Sequence, residues 1–67
     1  MEFQIRGEYI ELLRLLKALG WALTGGEAKM IVEDGLILVN GEPESRKRRK
    51  LRSGDKVEFQ GEVVVLI

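Results

Sequence analysis

The chain has 67 residues, 45% of them hydrophobic and 33% charged, with no cysteine and no histidine. A globule of this length buries only about 60% of the surface its unfolded chain exposes, which leaves room for a single domain over residues 1–67 and no deep catalytic cleft. Without Cys or His, no disulfide, zinc–thiolate site, Ser-His-Asp triad or Cys-His pair can be assembled, so a non-enzymatic protein without metal or cofactor is expected.

The formal net charge is zero, from 11 basic and 11 acidic residues. The two signs are segregated along the chain. Residues 1–45 hold four basic and eight acidic side chains, a net of −4. Residues 46–56 hold seven basic side chains and only Asp55, a net of +6. Like charges at that density repel one another, so an anionic partner is expected for the run Arg46 to Arg52. The longest uninterrupted apolar run, Val63 to Ile67, is far too short to span a membrane. The opening residues Met1 to Arg6 do not have the pattern of a secretory leader, and a cytoplasmic location is expected.

In chain order, Phe3-Gln4-Ile5-Arg6 alternates as a half-buried strand should, and Gly7 breaks it. The spacing of Tyr9, Leu12, Leu13, Leu16 and Leu19 predicts a helix from Glu8 to Leu19, with Glu11, Arg14 and Lys17 on its other side. Gly20 ends it. Trp21, Ala22 and Leu23 are expected to tuck under that helix, with Trp21 as a packing residue. Thr24-Gly25-Gly26-Glu27 has the spacing of a capping box, in which Glu27 reaches back to the N–H of the cap residue. It predicts a second helix from Gly25 to Asp34, ended by Gly35, with Ala28, Ile31 and Val32 facing inward. Glu33-Asp34 reads as a solvated face.

Leu36 to Val39 reads as a strand, Asn40-Gly41 as a tight turn, and Glu42-Pro43-Glu44 as a returning edge. The basic run is expected as a loop anchored by Leu51. Ser53-Gly54-Asp55 and Gln60-Gly61 are turns that flank an alternating strand carrying Val57 and Phe59, and Val63 to Ile67 closes the sheet. The expected core comprises Phe3, Ile5, Leu12, Leu16, Ala28, Ile31, Val57 and Phe59, with Tyr9 also on an apolar face.

The order Thr24-Gly-Gly-Glu-Ala-Lys29, Ile31, Gly35, Val39-Asn40-Gly41, the basic run, Leu51 and Gly54-Asp55-Lys56-Val57 resembles the S-four-type RNA-binding domain, or αL motif. The match covers roughly residues 10–59. The whole chain is most similar to the small standalone bacterial YbcJ-like RNA-binding proteins. The resemblance implies an α+β fold, with the two-helix αL motif packed on a small, mostly antiparallel sheet. It also implies that the second helix and the basic loop face structured RNA, such as ribosomal or transfer RNA, in a ribosome-associated setting. A monomer is expected.

The candidate RNA-binding residues are Arg46, Lys47, Arg48, Arg49, Lys50 and Arg52 in the loop, Lys29 on the second helix, and Thr24, Gly25 and Gly26 at its start. Many members of that family carry basic side chains where Gly25 and Gly26 stand here. Two readings of the glycine pair are open: exposed N–H groups that hold a phosphate, or a close packing of the helix start. A charged loop docking on an acidic protein surface is the alternative to RNA. Because exposed like charges contribute little or unfavourably to folding, replacing Arg48 and Arg49 together by Ala is expected to leave stability nearly unchanged.

Overall fold

Apolar spacing and turn chemistry divide the chain into two helices and seven short strands in the computed structural model, which describes residues 1–67. In chain order these are β1 (Glu2–Phe3), β2 (Ile10–Glu11), α1 (Leu12–Ala18), α2 (Gly25–Glu33), β3 (Leu38–Val39), β4 (Glu42–Pro43), β5 (Lys50–Leu51), β6 (Lys56–Phe59) and β7 (Glu62–Leu66). The α+β class stands as expected. Five strands form one sheet in the order β1-β7-β6-β3-β4, and β2 and β5 form a separate two-stranded ribbon. Every pairing is antiparallel except that of β1 with β7.

The two hairpin turns are built as the sequence demands. Asn40-Gly41 takes φ values of 53° and 88°, and Gln60-Gly61 takes 51° and 80°. Two successive positive φ angles give the turn whose twist matches the strands it joins. Asn40 adds a latch. Its amide nitrogen donates to Asp55 Oδ1 at 3.1 Å, and its Oδ1 accepts the Lys56 N–H at 2.9 Å. The Asn-Gly hairpin is thereby tied to the Ser53-Gly54-Asp55 turn.

Alternation along β6 and β7 sends Val57, Phe59, Val64 and Leu66 to the inner face. They join Leu12, Leu15 and Leu16 of α1 and Ala28 and Val32 of α2 in one cluster of 14 buried residues. Six of the eight expected core residues belong to it; Phe3 and Ile31 pack against its margin, half-buried. Leu51 is fully buried, the anchor expected of it.

The first helix differs from expectation. It starts at Leu12, not Glu8, because Ile10 and Glu11 pair with Leu51 and Lys50. The N–H groups of Leu12 and Leu13, unpaired in any helix start, donate to the carbonyls of Arg49 (2.9 Å) and Lys47 (3.3 Å). Tyr9 therefore lies outside the helix and is 40% exposed. The same pairing turns Lys50-Leu51 from loop into strand. Other boundaries shift by one to three residues: the first ladder holds Glu2–Phe3, β3 begins at Leu38, α2 ends at Glu33, and β7 runs from Glu62 to Leu66. Trp21 is half-buried, tilted against Phe59 with ring centroids 5.5 Å apart, and its Nε1–H donates to Glu62 Oε2 at 3.1 Å.

Leu51 joins the basic run to the core, so truncating it should be felt globally. Leu51→Ala is expected to lower the unfolding free energy by about 2–5 kcal/mol. Leu36→Ala, at a residue 50% exposed, should change it by less than about 0.5 kcal/mol. Urea denaturation of the two variants checks both.

Candidate nucleic-acid interface

The backbone of the basic run is fixed before its side chains are considered. Leu51 is buried, Lys50 sits in register with Glu11, and the carbonyls of Lys47 and Arg49 receive the first N–H groups of α1. A tight turn, with the Arg49 N–H donating to the Arg46 carbonyl at 3.2 Å, puts Arg48 at its tip.

Glu44 organises the side chains. Its N–H donates to the Ile37 carbonyl at 2.9 Å, and the residue is only 6% exposed. Oε2 accepts from the Arg46 N–H at 2.9 Å and from Arg46 Nε at 3.0 Å. Oε1 accepts from Arg46 Nη2 at 3.1 Å and from Arg49 Nη1 at 2.6 Å. The fork-to-fork geometry with Arg46 is the strong form of an ion pair. Its hydrogen bonds, helped by Arg49 and working against burial, pull the Glu44 carboxyl down to about 2. Glu44 in turn holds the Arg46 guanidinium above its ordinary value. The Arg46 side chain is still 70% exposed, so its outer face is open to an anion.

The other cations have different partners. Lys47 Nζ lies 2.9 Å from Glu33 Oε2, which joins the loop to the last turn of α2. The Lys47 hydrogen bond and charge, with a smaller contribution from Lys29, hold the Glu33 carboxyl below its usual range. Lys50 Nζ stands 4.9 Å from the centre of the Tyr9 ring, and Arg52 Cζ stands 5.7 Å from it. Both distances are in the cation–π range. Arg52 Nη1 also reaches the Glu8 carbonyl at 3.4 Å. Burial pushes the Asp55 carboxyl up, but the Arg52 N–H, the Asn40 amide and the charges of Arg49 and Arg52 outweigh it and hold it low. Arg48 is exposed and makes neither a side-chain hydrogen bond nor a salt bridge.

The Lys47–Glu33 bridge ties the loop to the last turn of α2, and the charge of Lys29, one turn earlier on that helix, also reaches Glu33. Thr24, Gly25 and Gly26 lie at the far end of α2, about 12 Å along its axis at 1.5 Å per residue. Thr24 Oγ1 accepts the Glu27 N–H at 3.1 Å, the expected cap. Glu27 reaches back to the Leu23 N–H at 2.9 Å rather than to that of Thr24. The glycines are not there for close packing. A Cβ on Gly25 would meet nothing within 4 Å, and one on Gly26 would meet only Thr24 Oγ1 at 4.0 Å.

Three side chains of this surface escape a reading by residue type. Glu44 stands two and five positions before its arginine partners, a spacing that could have flagged it. Glu33 pairs across 14 positions, which leaves no local signal. Tyr9 was hidden by helical spacing that continues through it by coincidence. The solvated loop expected around Arg48 and Arg49 also needs correction: Arg49 is only 30% exposed and bonded to a buried carboxylate. Its replacement therefore disturbs stability as well as charge.

The sequence pattern of the S4 domain family matches residues 3–67. This chain belongs to the S4 domain family. It is 39% identical over 59 residues to "Putative RNA-binding protein YbcJ" of Escherichia coli, covering 88% of this chain and 84% of that one. It is 43% identical over 54 residues to "Probable ribosome maturation protein RlbA" of Bacillus subtilis, covering 81% and 76%. The solution structure of YbcJ from E. coli, described as revealing an αL motif involved in RNA-binding, superposes with a TM-score of 0.73 at 36% identity. That match covers 98% of this chain and 85% of the other. The αL architecture expected from the motif is the one this S4 domain has.

The Glu44 clamp makes stability acid-sensitive. The folded-state pKa lies below the ordinary 4.5, so the stabilisation is complete above about pH 4.5 and disappears as pH falls through about 2. Glu44→Gln is expected to lower stability at pH 7 by about 1.5–3 kcal/mol and to flatten the loss between pH 4.5 and 2. Urea denaturation across that interval compares the two proteins.

Proposed function

We propose that this chain binds structured RNA, ribosomal or transfer RNA in kind, by laying the basic loop and the outer face of α2 against its phosphates. The observation that carries this reading is the fixed array of Arg46, Lys47, Arg48, Arg49, Lys50 and Arg52, six cations in seven residues held on a buried carboxylate and a buried leucine. A solvated tail would not need that scaffold. The similarity to YbcJ, described as RNA-binding, supports the same reading.

Arg48, Lys50 and Arg52 have no carboxylate against their side chains and are the primary phosphate contacts. Arg46 and Arg49 share the single charge of Glu44, and Lys47 is balanced by Glu33. Lys29 extends the strip along α2. The exposed N–H groups after Thr24, unobstructed at Gly25 and Gly26, offer a phosphate seat at its far end. The A-form groove and 2′-hydroxyls give such a strip a preference for RNA over duplex DNA. The chain acts as a monomeric, cytoplasmic binding domain over residues 1–67, with no catalytic step.

Arg48, Lys50, Arg52, Lys29 and the one uncompensated charge of the Glu44 cluster amount to five effective phosphate contacts. The log–log slope of affinity against salt is then expected at about −3.5 to −4.5, and Arg48→Ala should flatten it by about 0.7–0.9 without loss of stability. Glu33→Gln frees Lys47 and should tighten binding and steepen the slope by a similar amount. Fluorescence anisotropy titrations of a structured RNA at several salt concentrations test both variants. A salt-independent affinity, or an Arg48→Ala protein that binds as the wild type does, defeats the proposal. Salt-sensitive capture of an acidic protein with no affinity for RNA would favour a protein-docking module instead.

A further inference from the structure

A cleft of about 350 Å³ opens beside the basic loop, between the chain segment after β1 and the first turn of α1. Its volume lies within the range of small-molecule sites. Phe3, Tyr9 and Ile10 supply its apolar surface, and Arg6 and Arg14 stand on its border. Both arginines are exposed, and neither makes a salt bridge. The Glu11 carboxylate and the Gln4 amide add hydrogen-bonding groups.

These groups match the parts of a nucleotide. Aromatic and aliphatic walls suit the face of a base, the two arginines on the border suit its phosphate, and an amide and a carboxylate suit the polar base edge. A free inorganic anion would leave the apolar walls unused, and an aliphatic ligand would leave the arginines unused. Tyr9 belongs both to this cleft and to the basic strip, since Lys50 and Arg52 stand over its ring. A nucleotide in the cleft is therefore continuous with phosphates lying on the loop. Trp21 is engaged with Phe59 and Glu62 instead.

Resting on the RNA-binding reading above, we propose that the cleft takes one unpaired nucleotide of the bound RNA. Its base lies against Tyr9 and Phe3, and its phosphate lies between Arg6 and Arg14. The domain then selects RNA helices interrupted by an extruded base, which phosphate contacts alone cannot do.

The test uses two hairpin RNAs of identical stem, one fully paired and one carrying a single bulged 2-aminopurine. The wild-type protein is expected to bind the bulged hairpin roughly 5- to 100-fold more tightly, the stacking contribution of one base, and to quench its fluorescence at saturation. Tyr9→Leu should abolish the quenching. Arg14→Ala should reduce the preference several-fold and leave affinity for the paired hairpin within about twofold, with thermal melting confirming that both variants fold. Equal affinity for the two hairpins, or an unquenched bulge at saturation, overturns the cleft assignment and leaves RNA binding by the loop standing. Failure to bind either hairpin overturns both. The fluorescence arm needs only the wild-type protein, so it decides the matter even if a variant does not fold.

Discussion

The carboxylate of Glu44 is the fixed point of the basic surface. Six cations in seven residues repel one another, and a loop carrying them would spread into solvent unless something held it. Glu44 is nearly enclosed, anchored through its own N–H to Ile37, and bonded to two arginines through both oxygens. The cluster keeps a net positive charge while its centre is neutralised. Leu51 and the start of α1 complete the hold, one by burial and the other by donating N–H groups to loop carbonyls. The same residues that stabilise the first helix thus fix the direction in which the cations point.

Local chemistry was legible in the sequence and long-range pairing was not. Asn40-Gly41 names its turn because Asn and Gly are among the few residues that tolerate positive φ, while at Gln60-Gly61 the glycine alone carries that signal. Thr24 names its helix cap, and alternation in β6 and β7 names the inner face of the sheet. The start of α1 differs from its local spacing because the departure from helical geometry is imposed by Lys50-Leu51, some forty residues away. No property of Tyr9 or Ile10 alone carries that information. The residues of the basic run were visible as a patch from their density. Their individual availability was not, because it depends on Glu33 and Glu44 folding back onto them.

Counting positive residues accordingly overstates the charge this surface offers. Lys47 and Glu33 form one neutral pair, and Glu44 offsets one of its two arginines. Against burial, Asp55 is held below its ordinary value by the Arg52 N–H and the Asn40 amide first, with smaller contributions from the charges of Arg49 and Arg52. The acidic residues do more than dilute the patch. Glu44 and Glu33 fix the positions of long, flexible cationic side chains, and so lower the entropy those side chains lose when they meet an anion. The surface gives up some raw attraction for a defined geometry, the trade that suits a shaped target better than a uniform polyanion.

The parallel pairing of β1 with β7 has a consequence for how the molecule is made. Met1 donates to the Val63 carbonyl 62 positions away, and Glu2 and Phe3 lie in register with Val65 and Leu66. Bringing such distant segments together is entropically slow compared with closing a hairpin. During vectorial synthesis β1 emerges before its partner and waits for every element between it and β7. The β6–β7 hairpin can form as soon as its own residues are free, and only then does an edge exist for β1 to join. A strand that precedes all the others in the sheet along the chain thus depends for its place on the one that follows them all.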